Sequence, residues 1–126
     1  MSTKGGKESK RVLNDQGSLI EEADYVGGLL HGTRTLWSSA RVKIGEAEYE
    51  NGKLHGRSRL WTESGQLILD AQYSEGELHG TYASWWDDGT PKEQGTYKHG
   101  SKTGLYRWFS EDGTLRSEHM YTDGNL

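Results

Sequence analysis

Five tyrosines stand at one fixed interval: Tyr25, Tyr49, Tyr73, Tyr97 and Tyr121 are each 24 residues apart. Other residues keep the same step. Gly28, Gly52, Gly76, Gly100 and Gly124 follow three positions later, and Gly32, Gly56, Gly80 and Gly104 seven positions later. Trp37, Trp61, Trp85 and Phe109 come twelve later, and a further glycine recurs at Gly17, Gly65, Gly89 and Gly113. A chain phased in this way is built from one small unit, stacked so that each copy covers its neighbour's apolar surface.

Each unit carries two turn signals. One is Asn51-Gly52, Glu75-Gly76 or Asp123-Gly124; the other is Ser64-Gly65, Asp88-Gly89 or Asp112-Gly113. Glycine accepts positive φ without steric cost, so such pairs mark tight hairpin turns. The runs between them have strand length, and helices of ten or more residues do not fit. The expectation is an all-β fold: an elongated antiparallel β-meander of 24-residue hairpin repeats, about ten strands, near 11–14, 18–26, 33–38, 42–50, 57–62, 66–74, 81–86, 90–98, 105–110 and 114–122. Residues 1–10 have lost the repeat and read as a disordered polar tail. Residues 11–126 form the array, with repeats starting near Tyr25, Tyr49, Tyr73, Tyr97 and Tyr121.

Composition narrows the classes. Leu, Ile, Val and Phe together number 20 of 126 residues, below the share of about 20% at which disorder competes. Five Trp and seven Tyr oppose that reading, because disordered chains are poor in aromatics. There is no cysteine, which excludes disulfides, thiolate metal sites and thiol nucleophiles. No apolar run approaches a membrane span. The polar, Lys-rich start reads as no secretory signal, so the expected location is cytoplasmic.

Period-two alternation places Trp37, Trp61, Trp85 and Phe109 on one face. It also groups Leu67, Ala71 and Tyr73, and Leu115, His119 and Tyr121. Tyr, Trp and Leu of each repeat are assigned to one buried side.

The stretch Tyr49-Glu50-Asn51-Gly52-Lys53-Leu54-His55-Gly56 resembles the MORN-type repeat, and more closely its bacterial variant, the family that includes YwqK-type antitoxins and immunity proteins. The resemblance covers about 11–126. It implies a β-hairpin array and a non-enzymatic role: an antitoxin or immunity protein in a heteromeric complex with a cognate protein toxin, or alternatively a scaffold or membrane-proximal module. The sequence departs from the pattern where Arg41 replaces a turn glycine, where Lys102 and Thr103 replace Leu-His, and at Pro91.

Candidate chemistry is sparse. His31, His55 and His79 share a phase, but equivalent positions lie two strands apart, about 9.6 Å. Nitrogen ligands of one zinc must approach one another within roughly 3.3 Å. The expectation is that each histidine serves its own turn and that no metal or other cofactor is held. No Gly-x-Ser-x-Gly elbow and no phosphate loop is present, so no catalytic residue is assigned and no enzyme is expected.

Charge says more. Residues 1–11 carry +3 and residues 12–126 carry −7. Asp15, Glu63, Asp87, Asp88, Glu111 and Asp112 fall in one turn phase and should line one long edge. Such a row suits a basic partner, as a nucleic-acid-acting toxin would be, and disfavours direct nucleic-acid binding or an anionic membrane. Four aromatics break the repeat: Tyr82, Trp86, Tyr106 and Trp108. Alternation sets them opposite the consensus ladder, as an aromatic patch in the C-terminal half. The candidate partner-binding residues are therefore Tyr82, Trp86, Asp87, Asp88, Tyr106, Trp108, Glu111 and Asp112.

Overall fold

The repeat step becomes a strand step. A computed structural model describes residues 6–122, and these form one antiparallel sheet in which strand order follows chain order. The strands are β1 (Lys7–Leu13), β2 (Leu19–Val26), β3 (Leu29–Trp37), β4 (Lys43–Glu50), β5 (Lys53–Trp61), β6 (Leu67–Ser74), β7 (Glu77–Trp85), β8 (Pro91–Lys98), β9 (Ser101–Phe109) and β10 (Leu115–Tyr121). No second layer covers the sheet among the described residues, so the all-β meander expected from the repeat is the architecture found.

Two turn types alternate along its edges. The β4–β5 connection is two residues long, with Asn51 at φ 50 and Gly52 at φ 84, a primed hairpin turn matched to strand twist. The opposite edge uses three-residue loops in which Gly65 donates to Thr62 O at 3.0 Å and Thr62 donates to Gln66 O at 2.9 Å. Arg41 takes the glycine position there, at φ 67, and keeps the same loop through its N–H to Ser38 O. Pro91 opens β8, where a missing N–H is tolerated.

Odd strands begin about four residues earlier than the sequence suggests, because Leu-His-Gly is strand and not loop. Its glycine, at φ 121, 118 and 118 for Gly32, Gly56 and Gly80, carries a bulge instead of a turn. The preceding strand closes that bulge with a side chain. Thr33, Arg57 and Thr81 donate their N–H groups to Asp24 (3.4 Å), Glu48 (2.7 Å) and Gln72 (2.9 Å).

The tail expectation is corrected at 7–10. These residues lie in β1, pairing Lys7 with Val26 and Lys10 with Ala23. The N-terminal cations find partners there: Arg11 meets Glu22 at 2.8 Å and Lys7 meets Asp24 at 3.5 Å. Residues 1–5 lie outside the described residues, as does Gly124 with its expected turn.

The face assignment is also corrected. Tyr49 pairs with Gly32 and Leu54, Ala47 with Arg34 and Ser58, and Gly45 with Leu36 and Leu60. Tyr49, Leu36 and Leu60 therefore share a face, and Trp37 and Trp61, one position on, point to the other. The consensus tyrosines and tryptophans line opposite faces. Each bulge before an even strand pairs the tryptophan with a residue two steps along, as in Trp61 with Leu67. A reading of strict alternation in the long strand alone cannot see that offset. Ala23, Ala71 and Tyr106 are the fully buried apolar side chains among the described residues, and all three fall on the tyrosine face.

Candidate interaction surfaces

Across the tyrosine face, register lines up Ala23, Arg34, Ala47, Ser58, Ala71, Tyr82, Gly95 and Tyr106 on adjacent strands; the β8–β9 step passes through a bulge, where the Tyr106 ring overlies Gly95. Small residues on even strands leave room for large ones on odd strands. Any Cβ at position 95 would collide with that ring, so the glycine exists for packing.

Tyr106 is fully buried. Its hydroxyl donates to Glu93 at 2.9 Å and lies 3.3 Å from the Tyr97 hydroxyl. Burial first, then those two neighbours, push its phenol far above the ordinary range. Tyr97 meets Tyr82 and Tyr106 edge-on, with centroids 5.5 and 5.8 Å away, and Trp108 packs at 4.8 Å from Tyr106. Lys102, where the repeat usually has Leu, sets its ammonium 5.1 Å from the Tyr106 ring, a cation–π contact.

The four repeat-breaking aromatics are thus divided. Tyr82, Tyr106 and Trp108 lie with the consensus tyrosines, not opposite them. Only their relation to Phe109 and Trp85 is as alternation gave it. Tyr106 is core and offers no surface to a partner. Trp86 belongs to the β7–β8 turn, where Lys92 covers its ring at 4.6 Å. Its indole N–H is buried without an acceptor among the described residues.

The acidic residues fall as the turn phase requires. Asp15, Glu63, Asp87, Asp88, Glu111 and Asp112 are exposed, each in a three-residue loop on the edge shared by all odd-to-even connections. Density rises toward the C-terminus, and the β3–β4 loop interrupts the row with Arg41. Asp88 and Asp112 accept the N–H groups of Thr90 and Thr114 at 2.9 and 3.0 Å. The threonine hydroxyl and N–H hold each carboxyl below its usual range. Asp87 and Glu111 have no hydrogen bond or ion pair among the described residues.

The other edge carries the histidines. Each bonds the turn of the next repeat rather than its own: His31, His55 and His79 accept the N–H of Asn51, Glu75 and His99 through Nδ1 at 3.2, 3.1 and 3.1 Å. Gly52, Gly76 and Gly100 add N–H bonds of 2.7 to 2.8 Å to the carbonyls of Leu30, Leu54 and Leu78. Glu50, His55 and Glu75 bring one ligand atom each within 4.8 Å of one another. Same-phase spacing missed this group, because two of its members come from neighbouring turns.

An antiparallel sheet of stacked hairpins, open on both faces and laced by turn-to-turn bonds, is a repeat scaffold that presents side chains over a long surface. The MORN repeat variant family profile matches residues 78–99 and 102–123, each one odd strand, its loop and the following even strand. Equivalent hairpins with the same pairing precede them from β3 to β6. No curated protein matches this chain.

Proposed function

We propose that this chain is a non-enzymatic protein-binding module, an antitoxin or immunity protein that neutralises a cognate, nucleic-acid-acting toxin by occlusion in the cytoplasm. MORN-type repeats suit a binding or scaffold role. The observation that carries the reading is the row of exposed carboxylates on one edge, densest at Asp87, Asp88, Glu111 and Asp112. Acids on successive loops form a linear negative field. It complements a basic cleft and speeds its approach.

The test is co-purification of this chain with the product of the adjacent gene, followed by growth rescue when both are expressed. A stable complex that abolishes toxicity supports the reading. No complex with any neighbour-encoded protein sinks it. Binding to anionic liposomes that survives changing Lys4, Lys7 and Lys10 to Gln would favour a membrane-proximal scaffold instead.

A further inference from the structure

The join between an even strand and the odd strand after it is one construction, repeated at β2–β3, β4–β5, β6–β7 and β8–β9. Near the three-residue loops its register is the same each time. Glu22 stands opposite Thr35, Glu46 opposite Arg59, Asp70 opposite Ala83 and Gln94 opposite Arg107.

Half of such a join lies open at each end of the sheet. Among the described residues β10 pairs with β9 alone and β1 with β2 alone. β10 is an even strand and β1 an odd one, and both keep the 24-residue phase. Glu118 continues the series of Glu22, Glu46, Asp70 and Gln94, and Arg11 begins the series of Thr35, Arg59, Ala83 and Arg107. An open strand edge presents a row of N–H and C=O groups that another extended strand can satisfy. These two strands also carry surface apolar side chains. Val12, Leu13, Leu115 and Met120 are four of the seven large apolar residues exposed among those described.

Charge fits the two edges to each other. In the phase of the array, β1 of a second copy laid on β10 sets its Arg11 opposite Glu118 and its Val12 opposite Ser117. Within one chain Glu118 already meets Arg107 at 3.0 Å, and Arg11 already meets Glu22 at 2.8 Å. The new join would therefore run Arg107, Glu118, Arg11, Glu22 across four strands, with alternating sign. The chain builds the same order internally, where Arg59 stands between Glu46 and Asp70. The other charges do not oppose it: Lys10 would face His119 and Arg116 would face Leu13, so neither meets a permanent cation. Glu8 holds the position of the bulge glycines, so the matched stretch runs from Leu13 to Ser9. Two β1 edges would instead crowd Lys7, Lys10 and Arg11 against their own copies, and like charges across a strand pair destabilise it.

We infer that β10 of one molecule pairs with β1 of a second copy, antiparallel and in the phase of the repeat, so that the sheet continues from chain to chain. The join is head-to-tail and does not close on itself, so it propagates as a ribbon. A matched stretch this short makes the association weak and dependent on concentration.

The chain has no cysteine, so engineered disulfides test the join directly. Val12 and Ser117 lie on the two outermost strands, nine strand spacings or about 43 Å apart, and a disulfide between them must link two molecules. Val12→Cys and Ser117→Cys chains, mixed and oxidised, should give a dimer. The double variant should give a ladder of dimers, trimers and longer species. Either single variant alone should cross-link at least tenfold more slowly than the mixture. The unaltered chain should sediment with a mass that rises with concentration, more steeply at low salt. Adding Arg11→Gln or Glu118→Gln should slow cross-linking of the mixture about threefold, the worth of one exposed ion pair, while melting curves confirm that the sheet is folded. A single variant that cross-links as fast as the mixture means that like edges meet, which overturns the head-to-tail join. A monomer at every concentration, with no disulfide in the mixture, overturns the pairing altogether. Cross-linking unaffected by both folded Gln variants overturns the register in which Arg11 meets Glu118.

Discussion

His55 Nδ1 accepts the backbone N–H of Glu75 at 3.1 Å, one repeat further along the chain. The acceptor nitrogen must be unprotonated, so the ring proton sits on Nε2. The bond joins two hairpins that share no turn, which is the nearest-neighbour coupling a repeat array needs. His55→Ala is expected to cost about 1 kcal/mol, the usual worth of such a bond. Urea denaturation measures the cost. Amide exchange should show Glu75 losing protection while Asn51, held by His31, keeps it. Equal loss at both turns would mean that the histidines act through general packing.

The Tyr106 ring occupies the space that a side chain at Gly95 would need. Tyr106→Ala removes a fully buried ring and should cost about 3–5 kcal/mol. Gly95→Ala forces that ring from its seat and should cost about 1–3 kcal/mol. Tyr106→Phe keeps the ring and loses the bond to Glu93, for about 1–2 kcal/mol. Thermal and urea unfolding should give the order Ala at 106, then Ala at 95, then Phe at 106. A Gly95→Ala chain as stable as the parent would contradict the packing described.

Arg41 sits at φ 67 where sister loops have glycine. The left-handed region costs a side-chain-bearing residue about 1–2 kcal/mol, and glycine's extra unfolded-state freedom returns about 0.5–1 kcal/mol of that. Arg41→Gly should therefore stabilise by roughly 0.5–1 kcal/mol, seen as a higher urea midpoint at unchanged slope. The same substitution in reverse, Gly65→Arg, should destabilise by a similar amount.

The repeat period, the ten strands and both turn edges were legible because glycine positions report backbone conformation directly. The faces were not. Trp61 and Tyr73 look alike in a periodic pattern, yet the bulge that pairs Trp61 with Leu67 and the one at Gln72 that faces Gly80 lie between them. Each bulge breaks the parity on which face arguments rest. Tyr82, Tyr106 and Trp108 were found by their departure from the repeat, but the burial of Tyr106 depends on Gly95. That residue matters because it stands where Ala23, Ala47 and Ala71 stand, a clue visible in the sequence. The acidic edge followed from turn phase alone. Glu48 and Gln72 as bulge partners had no signal beyond their shared interval.

Acid should unfold the protein partly through Asp24. Burial raises its carboxyl, but the Ser9 hydroxyl, the Thr33 N–H and Lys7 outweigh it and leave it below the ordinary 3.8. Asp112, held by the Thr114 hydroxyl and N–H, is lowered as well. For such groups the unfolded chain takes up protons first. Their stabilisation is present above the unfolded value and is lost as pH falls through the folded one. Urea midpoints should fall between about pH 5 and pH 3, and Asp24→Asn should flatten that limb. An unchanged acid limb in the variant would remove Asp24 from the account.

Partner binding divides Trp86 from Trp108. Trp108 packs on buried Tyr106 at 4.8 Å, so Trp108→Ala should loosen the C-terminal sheet before any interface is tested. Trp86 lies in the β7–β8 turn beside Asp87 and Asp88, with a buried indole N–H that has no acceptor among the described residues. A docking partner would bury the exposed part of its ring and displace or pair with Lys92. Aromatic anchors of this kind cost about 2 kcal/mol or more when truncated. Trp86→Ala should therefore leave the unfolding curve nearly unchanged and weaken the complex with the neighbouring gene product at least tenfold, through faster dissociation. Changing Asp87 and Asp88 to Asn and Glu111 to Gln should act on the other rate, slowing association and flattening its salt dependence. Kinetic binding traces at two ionic strengths separate the two effects. If Trp86→Ala unfolds the protein, the ring is structural and the anchor lies elsewhere. If the acid variants associate as fast as the parent at low salt, the edge does not steer the partner.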